Sequence, residues 1–283
     1  MNEPKTAAEL AERFGEALRR IRETRPLIHH MTNYVVMNDT ANLTLHVGAL
    51  PVMAHAAEEV EEMVGLAGAL VLNPGTLSPD WVEAMLKAGR RANELGVPVV
   101  LDPVGAGATR FRTDSNLRLL DQLKVAVIRG NSGEIGAVSG AGGVVRGVES
   151  VEGVADPVAV AVGLAREHGA VVAITGRRDV VADGHRVVGV DNGHERLTTI
   201  TGTGCMATTM VAAFAAVEPD HLVAAAGGLA CFGLAAEQAA AEAKGPASFK
   251  VALFDRLFGL TPEELAEGAR VVWLEPPGPG GED

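Results

Sequence analysis

The stretch Thr201-Gly202-Thr203-Gly204-Cys205 stands directly ahead of an apolar run from Met206 to Val217. Small residues and glycines that open a buried helix form an anion cradle, because the first backbone N–H groups lack helical partners and the helix dipole favours negative charge there. Cys205 occupies the helix start, within reach of anything held by those amides. The pattern points to phosphoryl transfer onto a small molecule, with Gly202, Thr203, Gly204 and Cys205 as the catalytic segment. Many helices begin after glycine with nothing bound, so this turn is not specific by itself.

Five short apolar runs add to it: Ala49–Met53, Ala69–Leu72, Pro98–Leu101, Val125–Ile128 and Ala170–Ile174. Each ends in residues that can do chemistry. After them come Met53-Ala54-His55, Asn73-Pro74-Gly75-Thr76, Asp102-Pro103-Val104-Gly105-Ala106-Gly107, Arg129-Gly130-Asn131-Ser132-Gly133-Glu134 and Thr175-Gly176. Turns favour several of these residue types anyway. Five strand ends pointing one way nevertheless describe one site, since ligands of open parallel sheets bind beyond the carboxyl ends of the strands.

Asp102 and Glu134 are the carboxylates placed directly at those ends, and they are the expected Mg²⁺ residues. Magnesium binds through few protein carboxylates and often through water, bridging phosphate oxygens. Asn131 and Glu134 share one face of a first helical turn. The same spacing makes Asn131 an N-cap with Glu134 as its capping-box partner, and the two roles can coexist. A guanidinium binds phosphate oxygens in pairs, which suits Arg129 to a nucleotide; a surface salt bridge is its plainer reading. The Cys205 thiol, at a helix N-terminus, is expected to have a lowered pKa, and so to orient or deprotonate a hydroxyl. Cys231, inside an apolar helix, is expected to be core packing. The segment Ile28–Asn38 mixes polar and apolar residues without clean periodicity, as a ligand-lining segment would. His29 and His30 argue little for a metal, because neighbours on a strand face opposite ways.

The elements that must position these residues follow from the same pattern. Apolar runs without alternation are what strands covered on both faces look like. Helical periodicity near Glu58–Leu66, Pro79–Leu95, Asn131–Val138 and Pro157–His168 supplies right-handed crossovers. The expected fold is therefore α/β, a mostly parallel central sheet with helices on both faces. An amphipathic helix within Met1–Arg25 precedes it. A hairpin of Asp179–Ala182 and Arg186–Val190 follows, then two apolar helices, then a last helix capped by Thr261 and Glu264. One domain over residues 1–275 is expected, with 276–283 a disordered Pro/Gly tail.

Composition agrees. The 283 residues are 47% apolar but hold only Phe 7, Trp 2 and Tyr 1, so the core is built of small aliphatics. A net charge of −12 argues against nucleic-acid and anionic-membrane partners. Two cysteines make no disulfide or metal pattern, and with no visible signal peptide a reduced cytoplasmic setting is expected. The most membrane-like run, Leu222–Ala236, falls short of the roughly 20 residues needed to span a bilayer.

With these residues in view, the chain resembles the hydroxyethylthiazole kinase family of the ribokinase-like superfamily from about Pro26 to Phe258. The resemblance rests on His30-Met31-Thr32-Asn33, the Asp102–Gly107 stretch, Ile128-Arg129-Gly130-Asn131, Asp183-Gly184-His185-Arg186, the Thr201–Cys205 cradle and Gly245-Pro246-Ala247-Ser248-Phe249. The wider superfamily ends its cradle in Asp; this family, like this chain, has Cys. It implies a ribokinase-like three-layer sandwich that phosphorylates the alcohol of 4-methyl-5-(2-hydroxyethyl)thiazole in thiamin salvage, with ATP as co-substrate and Mg²⁺. It further implies a homotrimer with thiazole pockets between subunits. Carried over by position, Met53 and Gly202 meet the thiazole substrate, with Asn33 against its ring and Cys205 by the reacting hydroxyl. Arg129 and Thr175 meet ATP, joined by Asn131 and Gly176 at the same strand ends. Pro74 departs from the family pattern, beside one wall of the site.

Three rival readings stand beside this one. A ribokinase-like kinase could act on another alcohol, such as a hydroxymethylpyrimidine or a vitamin. A nucleotide-binding protein could sense a metabolite without transferring phosphate. A hydrolase could use Cys205 as nucleophile, although no general-base His with an orienting carboxylate is evident.

Overall fold

A computed structural model describes residues 3–141, 144–146, 149–152 and 154–277. The expected disordered tail lies outside the described residues from 278 on.

The chain opens with α1 (Ala7–Thr24), held by a Thr6–Glu9 capping box, and continues through β1 (Leu27–Met31), α2 (Met37–Val47), β2 (Leu50–Val52), α3 (Val60–Val64) and β3 (Ala69–Leu72). Next come α4 (Pro79–Leu95), β4 (Val99–Leu101), α5 (Arg110–Gln122), β5 (Val127–Asn131) and α6 (Ser132–Val138). A two-stranded ribbon, β6 (Val144–Arg146) and β7 (Glu149–Glu152), precedes α7 (Pro157–His168) and β8 (Val171–Thr175). The hairpin β9 (Asp179–Ala182) and β10 (Val187–Val190) leads to α8 (Thr203–Ala215), α9 (His221–Glu242), α10 (Pro246–Gly259), α11 (Pro262–Gly268) and β11 (Val271–Leu274).

The large sheet runs β11-β10-β9-β8-β5-β4-β3-β1-β2. From β8 to β2 every pairing is parallel, and β9, β10 and β11 extend the other edge antiparallel. Alternate residues of one strand point to opposite faces, and here both faces are dry. Val71 joins the layer of α1, α2, α8, α9, α10 and α11, whereas Leu70 and Leu72 join the layer of α3, α4, α5, α6 and α7. That explains why the strands read as continuous apolar runs, and it gives the three layers expected from the sequence.

The segment Ile28–Asn38 is not a loose ligand-lining stretch throughout. Its first half is the internal strand β1 and its end begins α2. His29 and His30 break the apolar pattern, yet both are buried and hydrogen-bonded on different sides, His29 to Ala54 O and His30 to Thr44 Oγ1. Helix α9 is long and apolar enough to cross a membrane by composition, but 89% of its apolar window is buried. It packs against α8, α10 and α1 as a core helix.

Candidate active site

The mouth of α8 faces the carboxyl ends of β3, β4, β5 and β8. Gly202 is its N-cap at φ +85°, a left-handed conformation that favours glycine. A Cβ there would also lie 2.5 Å from Val36 Cγ1. The first α-helical bond runs from Met206 N to Gly202 O. Among the described residues, the N–H groups of Thr203, Gly204 and Cys205 have no partner. Arg129 closes against this mouth: a Cβ on Gly204 would sit 2.9 Å from Arg129 Nη1, so any side chain there would displace the guanidinium.

Arg129, nearly buried on β5, donates through Nη2 to Thr175 Oγ1 at the end of β8 (2.5 Å). Its Nε is buried without a partner among the described residues. It is therefore no surface salt bridge, and its nearest carboxylate is Asp102, with Nη1 4.0 Å from Oδ2. Asp102 Oδ2 accepts hydrogen bonds from Thr208 Oγ1 (2.8 Å) and Asn73 Nδ2 (3.0 Å). Burial pushes the Asp102 carboxyl above its usual range, against the pull of Arg129 and these two donors.

Glu134 takes the capping-box role its spacing allows. It closes the capping box of α6, accepting from Asn131 N (3.0 Å), while Asn131 Oδ1 accepts from Glu134 N (2.9 Å). Its other oxygen accepts from Gly105 N (2.9 Å), which ties the loop after β4 to α6. Burial, and then the charge of Asp102, raise the Glu134 carboxyl to about 7. Two carboxylates in a dry site with one nearby guanidinium fit a divalent cation as counter-charge. Among the described residues no three His, Cys, Asp or Glu side chains could enclose a metal. That donor set matches Mg²⁺, which keeps waters and takes phosphate oxygens, better than a metal needing an all-protein cage.

Cys205 lies half-buried at the third position of α8. Its Sγ receives Asn73 Nδ2 at 3.2 Å and Asn33 Nδ2 at 3.5 Å. The expected lowering of its thiol is reversed. Burial, followed by the charge of Asp102, pushes the thiol up to about 12, outweighing the two amide donors and Arg129. A helix N-terminus favours the thiolate, but this one opens onto a dry site already holding a carboxylate. Cys231 is fully buried, as expected for core packing.

A cavity of about 930 Å³ lies beside this cluster. Arg129, Thr175, Gly176, Thr203 and Gly204 line it, together with the apolar Leu229 and Phe232. Asp179 also faces it and accepts from Gly176 N (2.9 Å), shaping the turn after β8; burial raises its carboxyl to about 6. Asn33, Asp102 and Cys205 do not line this cavity and gather instead around Asn73. Met53 does not join that cluster: it stands half-buried just past β2, at the sheet edge. Asn73 and Thr208 were not among the residues assigned roles from sequence. The sequence places Asn73 in a strand end facing the site, without a role of its own. Thr208 follows Gly204 by one helical turn, a spacing that means nothing until α8 is known to face Asp102.

The model of the hydroxyethylthiazole kinase family matches residues 18–263. The chain belongs to that family. A hydroxyethylthiazole kinase from Desulforudis audaxviator is 73% identical over 270 residues, covering 95% of this chain and 99% of the relative. One from Methanocella arvoryzae is 55% identical over 261 residues, covering 92% and 98%. The solved hydroxyethylthiazole kinase protein from Pyrococcus horikoshii superposes with a TM-score of 0.86 at 48% identity, covering 93% of this chain and all of that one. A ribokinase-like superfamily protein from Enterococcus faecalis shares the fold, with a TM-score of 0.63 at 12% identity. The three-layer ribokinase-like architecture expected from sequence is thus found.

Proposed function

We propose that this chain transfers the γ-phosphoryl group of ATP to the hydroxyl of 4-methyl-5-(2-hydroxyethyl)thiazole, in thiamin salvage. The observation that carries this reading is the meeting of the open amides of Thr203–Cys205 with Arg129, Asp102 and Cys205 at one helix mouth, in a chain of this family. ATP occupies the cavity walled by Arg129, Thr175 and Gly176, with Asn131 at the adjoining strand end. The alcohol approaches from the side of Asn33 and Cys205, with Gly202 beneath it and Met53 reaching the ring from the sheet edge. Edge placement of Met53 suits pockets completed between subunits of a homotrimer.

Phosphoryl transfer depends mainly on positioning and on stabilising charge that spreads over the phosphoryl oxygens. The amides of the cradle and the Arg129 guanidinium point positive ends at that charge without reorganising. Asp102 and Glu134 would hold Mg²⁺, directly or through water; when bound it neutralises phosphate charge and aligns the transferred group. A thiol pushed up to about 12 stays protonated near neutral pH. Cys205 therefore orients the alcohol rather than deprotonating it, and the hydroxyl proton leaves late, as a loose transition state permits. A cytoplasmic enzyme fits this chemistry, since ATP is its co-substrate.

A substrate panel tests the reading. With ATP and Mg²⁺, kcat/KM should be highest for hydroxyethylthiazole among it, hydroxymethylpyrimidine and pyridoxal. Preference for either of the others would move the enzyme elsewhere in the superfamily. ADP release without any alcohol dependence would favour a nucleotide-binding sensor.

A further inference from the structure

Asn73 directly follows β3 and is almost wholly buried (1% exposed). All of its amide capacity is used. Oδ1 accepts from Gly75 N (3.2 Å) and from Asn33 Nδ2 (2.9 Å), while Nδ2 donates to Asp102 Oδ2 (3.0 Å) and Cys205 Sγ (3.2 Å). Two partners fix which end is which. A backbone N–H can only donate, so Gly75 must face the oxygen, and the Asp102 carboxylate must face the nitrogen. Asn33 is fixed likewise, because its Oδ1 accepts from Val35 N (3.1 Å). Both amides therefore present N–H groups to the same sulfur. The thiol cannot donate to either, so its own proton is turned away from both amides.

We propose that Asn73 is a positioning residue for phosphoryl transfer, its amide fixing the Cys205 thiol and the Asp102 carboxylate relative to each other. The inference deepens the kinase reading above and rests on it. A residue that served only the turn after β3 would need only an acceptor for Gly75 N. Asp supplies that in the same shape, and Ser supplies it more weakly. What Asn adds is the NH₂ group, and both of its hydrogens go to groups at the reaction centre. The alcohol meets Cys205 and the phosphates face Asp102, so Asn73 couples nucleophile placement to phosphate placement.

The test uses the full chain with Asn73→Asp, which keeps the turn acceptor and loses both donors, and Asn73→Ser, which keeps an acceptor and adds no charge. Both should lower kcat by about 10–100-fold, the scale of a small misplacement of reacting groups. KM for ATP should stay within about twofold, because Arg129 and Thr175 are untouched. Combined with Cys205→Ala, the loss should fall short of the product of the single losses by roughly tenfold, since the residues act as one unit. A residue needed only for folding would give multiplicative losses. Wild-type kcat in both variants, a loss confined to the ATP KM, or full multiplicativity with Cys205→Ala would each overturn the inference while leaving the kinase reading intact. Absence of hydroxyethylthiazole-dependent turnover in the wild type would overturn both.

Discussion

Arg129 on β5 and Thr175 on the neighbouring parallel strand β8 are joined side chain to side chain, Nη2 to Oγ1 at 2.5 Å. The bond holds the guanidinium against the mouth of α8, where Gly204 lets it approach. Arg129→Ala should raise the KM for ATP by about tenfold or more, as expected when a charge-assisted contact to phosphate is lost. Thr175→Val should do the same more weakly. Steady-state kinetics at fixed alcohol concentration check both, and an unchanged KM would remove Arg129 from the nucleotide site.

Cys205→Ala should slow turnover by less than about 10²-fold, the low end of what acid–base residues contribute. Its ATP affinity, read by calorimetry, should be nearly unchanged. A protonated thiol that orients the alcohol also predicts no alkaline rise in kcat assignable to Cys205 below pH 9. Such a rise in wild type, absent from Cys205→Ala, would restore the base.

Stability should depend on a buried ion cluster at the far end of α8. Glu218, fully buried, accepts from Arg13 (2.6 Å) and Arg20 (2.8 Å) of α1 and from Asp220 N (3.0 Å). Glu218→Gln removes the buried carboxylate from two arginines, of which Arg13 keeps only Asp220 at 3.8 Å, and should cost about 3 kcal/mol, the usual scale for breaking a buried pair. Urea unfolding measures it.

His30 should make the fold sensitive to acid. Its Nε2–H donates to Thr44 Oγ1, which itself donates to Thr40 O, and no donor or acidic group meets Nδ1 among the described residues. Burial, then the neighbouring His29 and His55, lower its pKa from 6.5 to about 3. The unfolded chain takes up a proton below pH 6.5 that the folded chain refuses. Stability is thus present above 6.5 and is lost as pH falls toward 3, by up to about 1.4 kcal/mol per pH unit for one group. His30→Gln should flatten the decline in thermal midpoint between pH 6.5 and 5. An equal decline in the variant would assign it to other groups.

The doubly covered strands were legible because runs such as Val99–Leu101 have no polar alternation, and the strand ends announced Asp102, Arg129 and Thr175. Helix α5 was not, since its Arg110–Gln122 sequence is mostly polar and shows little apolar periodicity. Strand β11 adds to the sheet edge far along the chain from its partner β10, a pairing that no local pattern encodes. Strand β1 was hidden by His29 and His30, whose burial depends on partners in Ala54 and Thr44. The Cys205 thiol was misjudged because helix polarity is local and readable, whereas the proximity of Asp102 and the loss of water arise only on folding. Asn73 stood in one of those strand ends but was given no role for the same reason: its four partners come from four separate places, the loops after β1, β3 and β4 and the start of α8.

The most direct measurement is a crystal structure of the full chain with ADP, Mg²⁺ and hydroxyethylthiazole. A nucleotide phosphate should accept hydrogen bonds from the Gly204 and Cys205 amides and from Arg129, with the alcohol oxygen against Cys205. Phosphates bound away from the α8 mouth, or an alcohol out of reach of Cys205, would contradict the account.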